Sequence, residues 1–388
     1  MINILTLEDQ RPDGKVAEKD LIKVVDTDED YATIILPDGF TGAKWKPSGP
    51  YPIEVIDGQH RLWAFEDPFD EDFELPVVAF HGLDISWQAY LFWTINIRPK
   101  RINPSLAFDM YPLLRTEDWL EKFEGHFIYR ETRSQELTGA LWAHKESPWY
   151  HRINMLGEPK LRKKMVSQSA WINTLMASYV KAWEGPGVRV GGLFGAPVGK
   201  DETVLPWCGA QQAGFLILMG QKIEKAVRNC NEEWAKALRG KGSKGLSENE
   251  EDLAFVGPAT LFNADPGVRG ILYVTNDLCY VRADALELKD WVMEAGSAAD
   301  EAKVSEALSD LRSRKVAKFL EEIAKRLVTY DWRTSTAPGL DKEQEERKKV
   351  FRGSGGYRIL RGHLLEVLGE APGEVGKASR KVIKALGY

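Results

Sequence analysis

The chain has 388 residues, 43% of them hydrophobic and 28% charged, with a formal net charge of −6. These proportions are those of a soluble globular protein, and the length suits two domains or one domain with a substantial second lobe. The acidic balance excludes wholesale coating of DNA by a generally basic surface, whose affinity comes from counterion release, but leaves room for a local basic groove.

In chain order, the N-terminus "MINILTLEDQRPDGK" lacks the basic start, long apolar middle and small-residue cleavage site of a secretory signal. No later run reaches the roughly 18 apolar residues that span a bilayer, so no membrane association is expected. Residues 1 to 50 are weakly patterned, apart from "YATIILPDG" at 31–39, a strand ending in a Pro-Asp-Gly turn. "IEVI" at 53–56 and "LPVVAF" at 75–80 are further strand runs. Between them "RLWAFE" makes one to two helical turns, stopped at Asp67-Pro68. Strand, turn, short helix, strand is the minimal α/β unit. Asp84 or Ser86 can cap a helix through "SWQAYLFWTI"; the loop "NIRPKRINPS" follows, and Asn103-Pro104 starts another helix.

Beyond about residue 110 the texture becomes helical, in runs at 167–183, 210–227 and 303–327. In the last run Val304, Leu308, Leu311, Val316, Leu320, Ile323 and Leu327 share one face. Loops are expected at 184–201, 239–252 and 334–349, the middle one mobile because glycine, serine and charge leave little to bury. Cys208, Cys230 and Cys279 are odd in number and far apart, which argues against a disulfide framework or a zinc site and fits a reducing cytoplasm. No internal repeat is visible.

The chemistry concentrates in "IEVIDGQHRLWAFED" at 53–67. If Gly58 sits where the strand feeds the helix, the first helical amides lack intrahelical partners and point outward at the positive end of the dipole. Glycine lets a phosphate approach the backbone, and Arg61 supplies a fork of donors. Each charge-assisted contact contributes on the order of 1.5–3 kcal/mol. The bland alternative is an Asp-Gly turn with solvated His60 and Arg61, and spacing alone leaves both open.

The run Asp57, Gly58, Gln59, His60, Arg61 resembles the signature of the DGQHR-domain family, which includes the DndB-type proteins of DNA phosphorothioation systems and similar proteins of 7-deazaguanine modification systems. More distantly it is similar to the phosphate-binding box of ParB partition proteins. "INIRPKRINPSLAFDM" at 95–110 resembles the family's second segment. By that resemblance Asn96 is a phosphate-side or metal-side amide, and Arg98, Lys100 and Arg101 are a charge clamp. Ile95 stands where ParB proteins carry an acidic residue. Weaker echoes run through 147–175, "GGLFG" at 191–195, "ADPGVRGILYVTNDL" at 264–278 and "FRGSGGYRILRGHLLEVL" at 351–368.

The resemblance implies an α/β (α+β) protein, with a small ParB/sulfiredoxin-like mixed domain at 1–115 and a mostly helical lobe at 116–388. It implies a nucleoside triphosphate, ATP or CTP, with Mg2+ where a metal is used, and hydrolysis of that nucleotide as an ATPase. DNA and other proteins of a DNA modification system are the implied partners, with a homo-oligomer allowed. Gln59 stands where ParB has an acidic residue and would orient the attacking water. His60 would shuttle a proton or donate to phosphate, its ordinary pKa lying near neutrality. Basic residues for DNA are Arg162, Lys163 and Lys164 of "KLRKK", and Arg358 and Arg361 near the glycine-rich run; an exposed helix face and a helix-entry loop explain the same residues. The alternative function is a DNA-binding regulator of a modification operon without hydrolysis.

Other signals fall away. "GAPVGKD" at 195–201 fails as a P-loop, with Phe194 where the first glycine belongs and Asp201 where Ser or Thr must follow. Most of the 13 tryptophans sit on helix stripes and belong to the core rather than to base stacking. The six histidines have no metal spacing, and neither a Ser-His-Asp set nor the paired carboxylates of a nuclease can be picked out.

Overall fold

The computed structural model describes residues 1–26, 31–42, 44–64, 74–97, 126–157, 165–183, 187–195, 205–240, 251–351 and 353–388; for 26, 96, 97, 126–129 and 354 only the backbone is described. The fold is mixed α/β, with a small sheet region and many helices. It divides into two units, Met1–Ile102 with Met110–Trp119, and Asn103–Asp109 with Leu120–Tyr388. The boundary expected near 115, the helix stop at Asp67-Pro68 and the helix start at Asn103-Pro104 lie outside the described residues.

In the first unit, β1 (Ile2–Ile4) is the middle strand of three. It runs antiparallel to β4 (Ile53–Val55), pairing Ile2 with Val55, and parallel to β5 (Ala79–His81), pairing Ile2 with Ala79. β2 (Lys23–Asp26) and β3 (Ala32–Ile35) form a separate antiparallel ribbon, whose β3 is exposed along its length. The run at 75–80 enters the sheet only from Ala79, and Val77 and Val78 stay exposed. Ile4, Leu5, Ile56 and Ala89 make a small core, the last from α2 (Ile85–Ile97). Asp84 caps α2, accepting from the Ser86 amide at 2.8 Å and from the Ser86 hydroxyl.

The second unit holds α3 (His126–Ala143), α4 (Gln168–Ala177), α5 (Gly209–Arg228), α6 (Glu233–Arg239), α7 (Leu253–Val256) and α8 (Asp265–Tyr280). It continues with α9 (Glu301–Leu311), α10 (Lys315–Leu327), α11 (Lys342–Lys349), α12 (Gly353–Gly369) and α13 (Gly373–Leu386). α5 is buried continuously from Gly209 to Gly220, as expected of a central helix apolar all round. Trp149, Trp171, Trp207, Trp234, Trp291 and Trp332 are buried in the core.

The stripe from Val304 to Leu327 is buried as its period requires, but it belongs to two helices. The break falls beside Asp310, whose carboxylate accepts from the Trp291 indole at 2.7 Å and from Arg314 at 3.0 Å. The loop expected at 334–349 is corrected in part, since Lys342–Lys349 is helical. Its start is fixed by a capping box: Asp341 accepts from the Gln344 amide at 2.8 Å, and the Gln344 side chain accepts from the Asp341 amide at 3.1 Å. At the loop expected over 184–201, Val190, Leu193 and Phe194 are core residues. Among the described residues no helix is long and apolar enough to cross a membrane.

Candidate functional site

The turn at 57–61 hangs from the sheet. The amides of Ile56 and Asp57 both donate to the Met1 carbonyl, at 3.0 and 3.2 Å, and the Met1 ammonium donates to the Asp57 carbonyl at 2.8 Å. Gly58 then takes φ 106°, ψ 11°, a left-handed conformation that costs glycine little and turns the strand into α1 (Gln59–Trp63). Its carbonyl accepts from the Arg61 and Leu62 amides at 2.9 and 3.1 Å. Among the described residues the Gln59 and His60 amides meet no acceptor, so two donors stand open at the helix start. Strand, left-handed glycine, open amides and Arg61 therefore come together as the spacing suggested.

The Arg61 side chain is 71% exposed, and its Nη2 lies 3.4 Å from Asp57 Oδ2. An exposed pair of this length is worth about 0–1 kcal/mol, so an arriving anion displaces Asp57 at little cost. No residue of α1 is buried, which leaves Gln59, His60 and Arg61 facing solvent, with the His60 ring edge-on to Trp63 at 5.1 Å. The amides and the guanidinium can hold phosphate oxygens, and the Gln59 and His60 side chains beside them are exposed.

Glu54, three residues before the turn, is already committed. Arg11 donates to it from Nε at 2.5 Å and from Nη2 at 2.7 Å, and Gln88 at 3.0 Å. Burial alone would push the Glu54 carboxyl up, but the hydrogen bonds from Arg11 and Gln88 and the Arg11 charge bring it below the usual carboxylate range. Glu54 therefore fixes the base of the turn. Among the described residues no three His, Cys, Asp or Glu side chains gather as a metal site. The Asn96 side chain and Arg98, Lys100 and Arg101 lie outside the described residues, as do Arg162, Lys163 and Lys164.

Arg358 and Arg361 fall in the second unit, on α12, at a cavity of about 390 Å³ lined by Arg269, Tyr273, Tyr357, Arg358, Arg361 and Tyr388, with Leu386 at its edge. Arg361 is tucked in, donating from Nε to Asp277 Oδ2 at 2.7 Å, and the Asp277 carboxylate is wholly buried. Arg358 is exposed, over the Tyr388 ring at 5.6 Å, and makes no ion pair among the described residues. The glycine-rich run ahead of these arginines is the first turn of α12 itself, where a Cβ on Gly356 would lie 2.3 Å from the Val350 carbonyl.

Sequence reasoning did not single out Arg269, Tyr273, Tyr357 or Tyr388 of this cavity. Arg269 lies 4.5 Å over the Tyr357 ring and donates to Asp265 at 2.8 Å, while the Tyr357 hydroxyl donates to the same carboxylate at 2.5 Å. Arg361 lies 4.9 Å over Tyr273. An Arg and a Tyr four residues apart thus occur on each helix, Arg269 with Tyr273 and Tyr357 with Arg361, and each arginine crosses to the other helix's ring. That four-residue repeat is the sequence signal that could have found the site.

The "GGLFG" turn joins the same helix. Asn276 donates to the Gly191 carbonyl at 2.9 Å and accepts from the Leu193 amide at 3.0 Å. Gly191 permits this approach, because a Cβ there would stand 1.9 Å from the Trp183 carbonyl. Nearby, burial pushes the Lys181 ammonium down to about 8; Asp277 opposes the shift and Arg361 adds to it. The segments at 191–195, 264–278 and 351–368 therefore converge on α8. Set against protein-family models, curated proteins and solved structures, the chain matches none.

Proposed function

We propose that the chain is a nucleotide-binding protein of the DGQHR type, related to the DndB-like and ParB-like proteins. It would hydrolyse a nucleoside triphosphate, ATP or CTP, together with DNA in a DNA modification system such as 7-deazaguanine insertion or phosphorothioation. The supporting observation is the pair of open amides at Gln59 and His60 with the weakly held Arg61 beside them. Those three donors bind phosphate oxygens, and Gly58 lets the phosphate come close to the backbone. Phosphoryl transfer asks a protein chiefly for positioning and charge neutralisation. Gln59 orients the attacking water and His60 holds or passes a proton. By the family resemblance, Asn96, Arg98, Lys100 and Arg101 complete the polyphosphate clamp, and Mg2+ accompanies the phosphates. The place of work is the cytoplasm.

Titration calorimetry with ATP, CTP and GTP, followed by phosphate release with and without DNA, tests this reading. Binding of one nucleotide that Arg61→Ala removes, with the melting temperature unchanged, supports it. No binding and no DNA-stimulated phosphate release from any common triphosphate overturns it. A second reading, a DNA-binding regulator without hydrolysis, is favoured by the arginine-lined cavity at α12. It expects promoter binding that survives Arg61→Ala.

A further inference from the structure

Three guanidiniums and three phenol rings meet around one cavity, each guanidinium over one ring. Arg269 and Arg361 are each turned toward a carboxylate through Nε, an arrangement that fixes the guanidinium plane and leaves other N–H groups unspent. Arg269 has Nη1 and Nη2 outside its bond to Asp265, and Arg361 has Nη1 outside its bonds to Asp277. Arg358 is exposed and has no carboxylate partner among the described residues. The three guanidiniums that line the cavity outnumber the two side-chain carboxylates they bond, Asp265 and Asp277.

The rings narrow the ligand. A bare phosphate or sulfate needs donors alone, whereas Tyr273, Tyr357 and Tyr388 present aromatic surface to the same space as the guanidiniums. A volume of about 390 Å³ is that of a small-molecule site rather than of an ion seat. Guanidiniums for phosphate and aromatic faces for a planar ring are the pairing by which proteins hold nucleotide units without reading their sequence.

We propose that the cavity between α8 and α12 binds a nucleoside phosphate, its base against the tyrosine rings and its phosphate on Arg269, Arg358 and Arg361, as a free nucleotide or as one unit of a single DNA strand. Its residues all belong to the second unit, and the proposal stands whether or not the turn at 57–61 binds a triphosphate. Arg358 is the outer gatepost, and Arg361 and Arg269 are held ready by their carboxylates.

The full-length protein decides it, with AMP, adenosine, inorganic phosphate and a fluorescent single-stranded oligonucleotide as probes. Arg358→Ala is the chosen variant, since its side chain is exposed and its loss unpairs no carboxylate; Arg61→Ala is the control for the other unit. The expected result is binding of AMP or the oligonucleotide that survives Arg61→Ala and weakens about tenfold in Arg358→Ala, the scale of one lost phosphate or stacking contact. Tyr273→Leu, probed by the same titration, should weaken AMP while leaving any phosphate binding unchanged. AMP without the oligonucleotide assigns a free nucleotide, and the oligonucleotide binding more tightly assigns a strand. Inorganic phosphate binding as well as AMP overturns the role of the rings. Binding untouched by both Arg358→Ala and Tyr273→Leu, or no binding of any probe, overturns the site.

Discussion

The guanidinium of Arg269 lies 4.5 Å over the ring of Tyr357, bringing together residues 88 positions apart on two helices. Arg361 and Tyr273 repeat the exchange in the opposite sense, so α8 and α12 are joined twice by the same contact. Cation–π contacts are worth about 0.5–1 kcal/mol at exposed sites and more when desolvated, enough to set the packing of two helices but not to hold a core. The core here is apolar, and Leu360 and Leu364 are wholly buried on the same α12.

Arg361→Ala is expected to be far costlier than Arg358→Ala. It leaves the wholly buried Asp277 carboxylate without its guanidinium, and breaking a buried pair from one side costs about 3–5 kcal/mol. Urea unfolding should show the loss, and adding Asp277→Asn to Arg361→Ala should recover part of it. A loss under 1 kcal/mol would mean that solvent or Lys181 already serves Asp277.

Lys181 gives a pH signature. Its folded pKa of about 8 lies below its ordinary 10.5, so the unfolded chain takes up this proton first as pH falls. The group's contribution to stability is therefore present above pH 10.5 and lost as pH falls through 8. Lys181→Met should stabilise the protein at pH 7 by about 1–3 kcal/mol, the gain shrinking as pH rises toward the unfolded value. Paired denaturation curves of the two proteins across that range measure it; a gain that grows with pH would contradict the assignment.

At Gly58 the φ of 106° sets the expectation. Gly58→Ala forces a side chain into a backbone region that costs about 1–3 kcal/mol, and the new Cβ would lie 3.2 Å from Arg61 Nη2. Thermal unfolding of the first unit should move down, and nucleotide binding should fall with it. Arg61→Ala should remove binding alone, so the pair separates shape from charge at this turn.

Glu54→Ala removes the two carboxylate oxygens that accept from Arg11 Nε and Nη2, and a charged hydrogen-bonded partner of this kind contributes about 1.5–3 kcal/mol. Because the folded carboxyl lies below its ordinary value of 4.5, its stabilisation is present above that pH and lost as pH falls through the folded value. Hydrogen exchange of β1 and β4 should accelerate in the variant at neutral pH and in the parent only in acid.

What the sequence disclosed was mostly local. The strand-to-helix turn at Gly58, the cap at Asp84, one of two candidates with Ser86, and the buried stripe from Val304 to Leu327 follow from residue type and spacing within a few positions. Helix Lys342–Lys349 escaped because none of its residues is buried, so no apolar period marks it; its one signal is the Asp341–Gln344 box. The break between Leu311 and Lys315 was hidden because Asp310 answers to Trp291, a distant residue. The Arg/Tyr exchange left one trace, the four-residue repeat on each helix, which marks the residues but not the helix that each will face. At the other site, the anticipated clamp of Asn96, Arg98, Lys100 and Arg101 lies outside the described side chains, and the turn itself is the part legible both ways.

The Met1 carbonyl and ammonium both bond to the 56–57 backbone, so the start of β1 and the entry to the turn share one anchor. A change that frays the pairing of Ile2 with Val55 would therefore unsettle the glycine hinge as well, and a lost ligand in such a variant would report a slack strand rather than a missing donor.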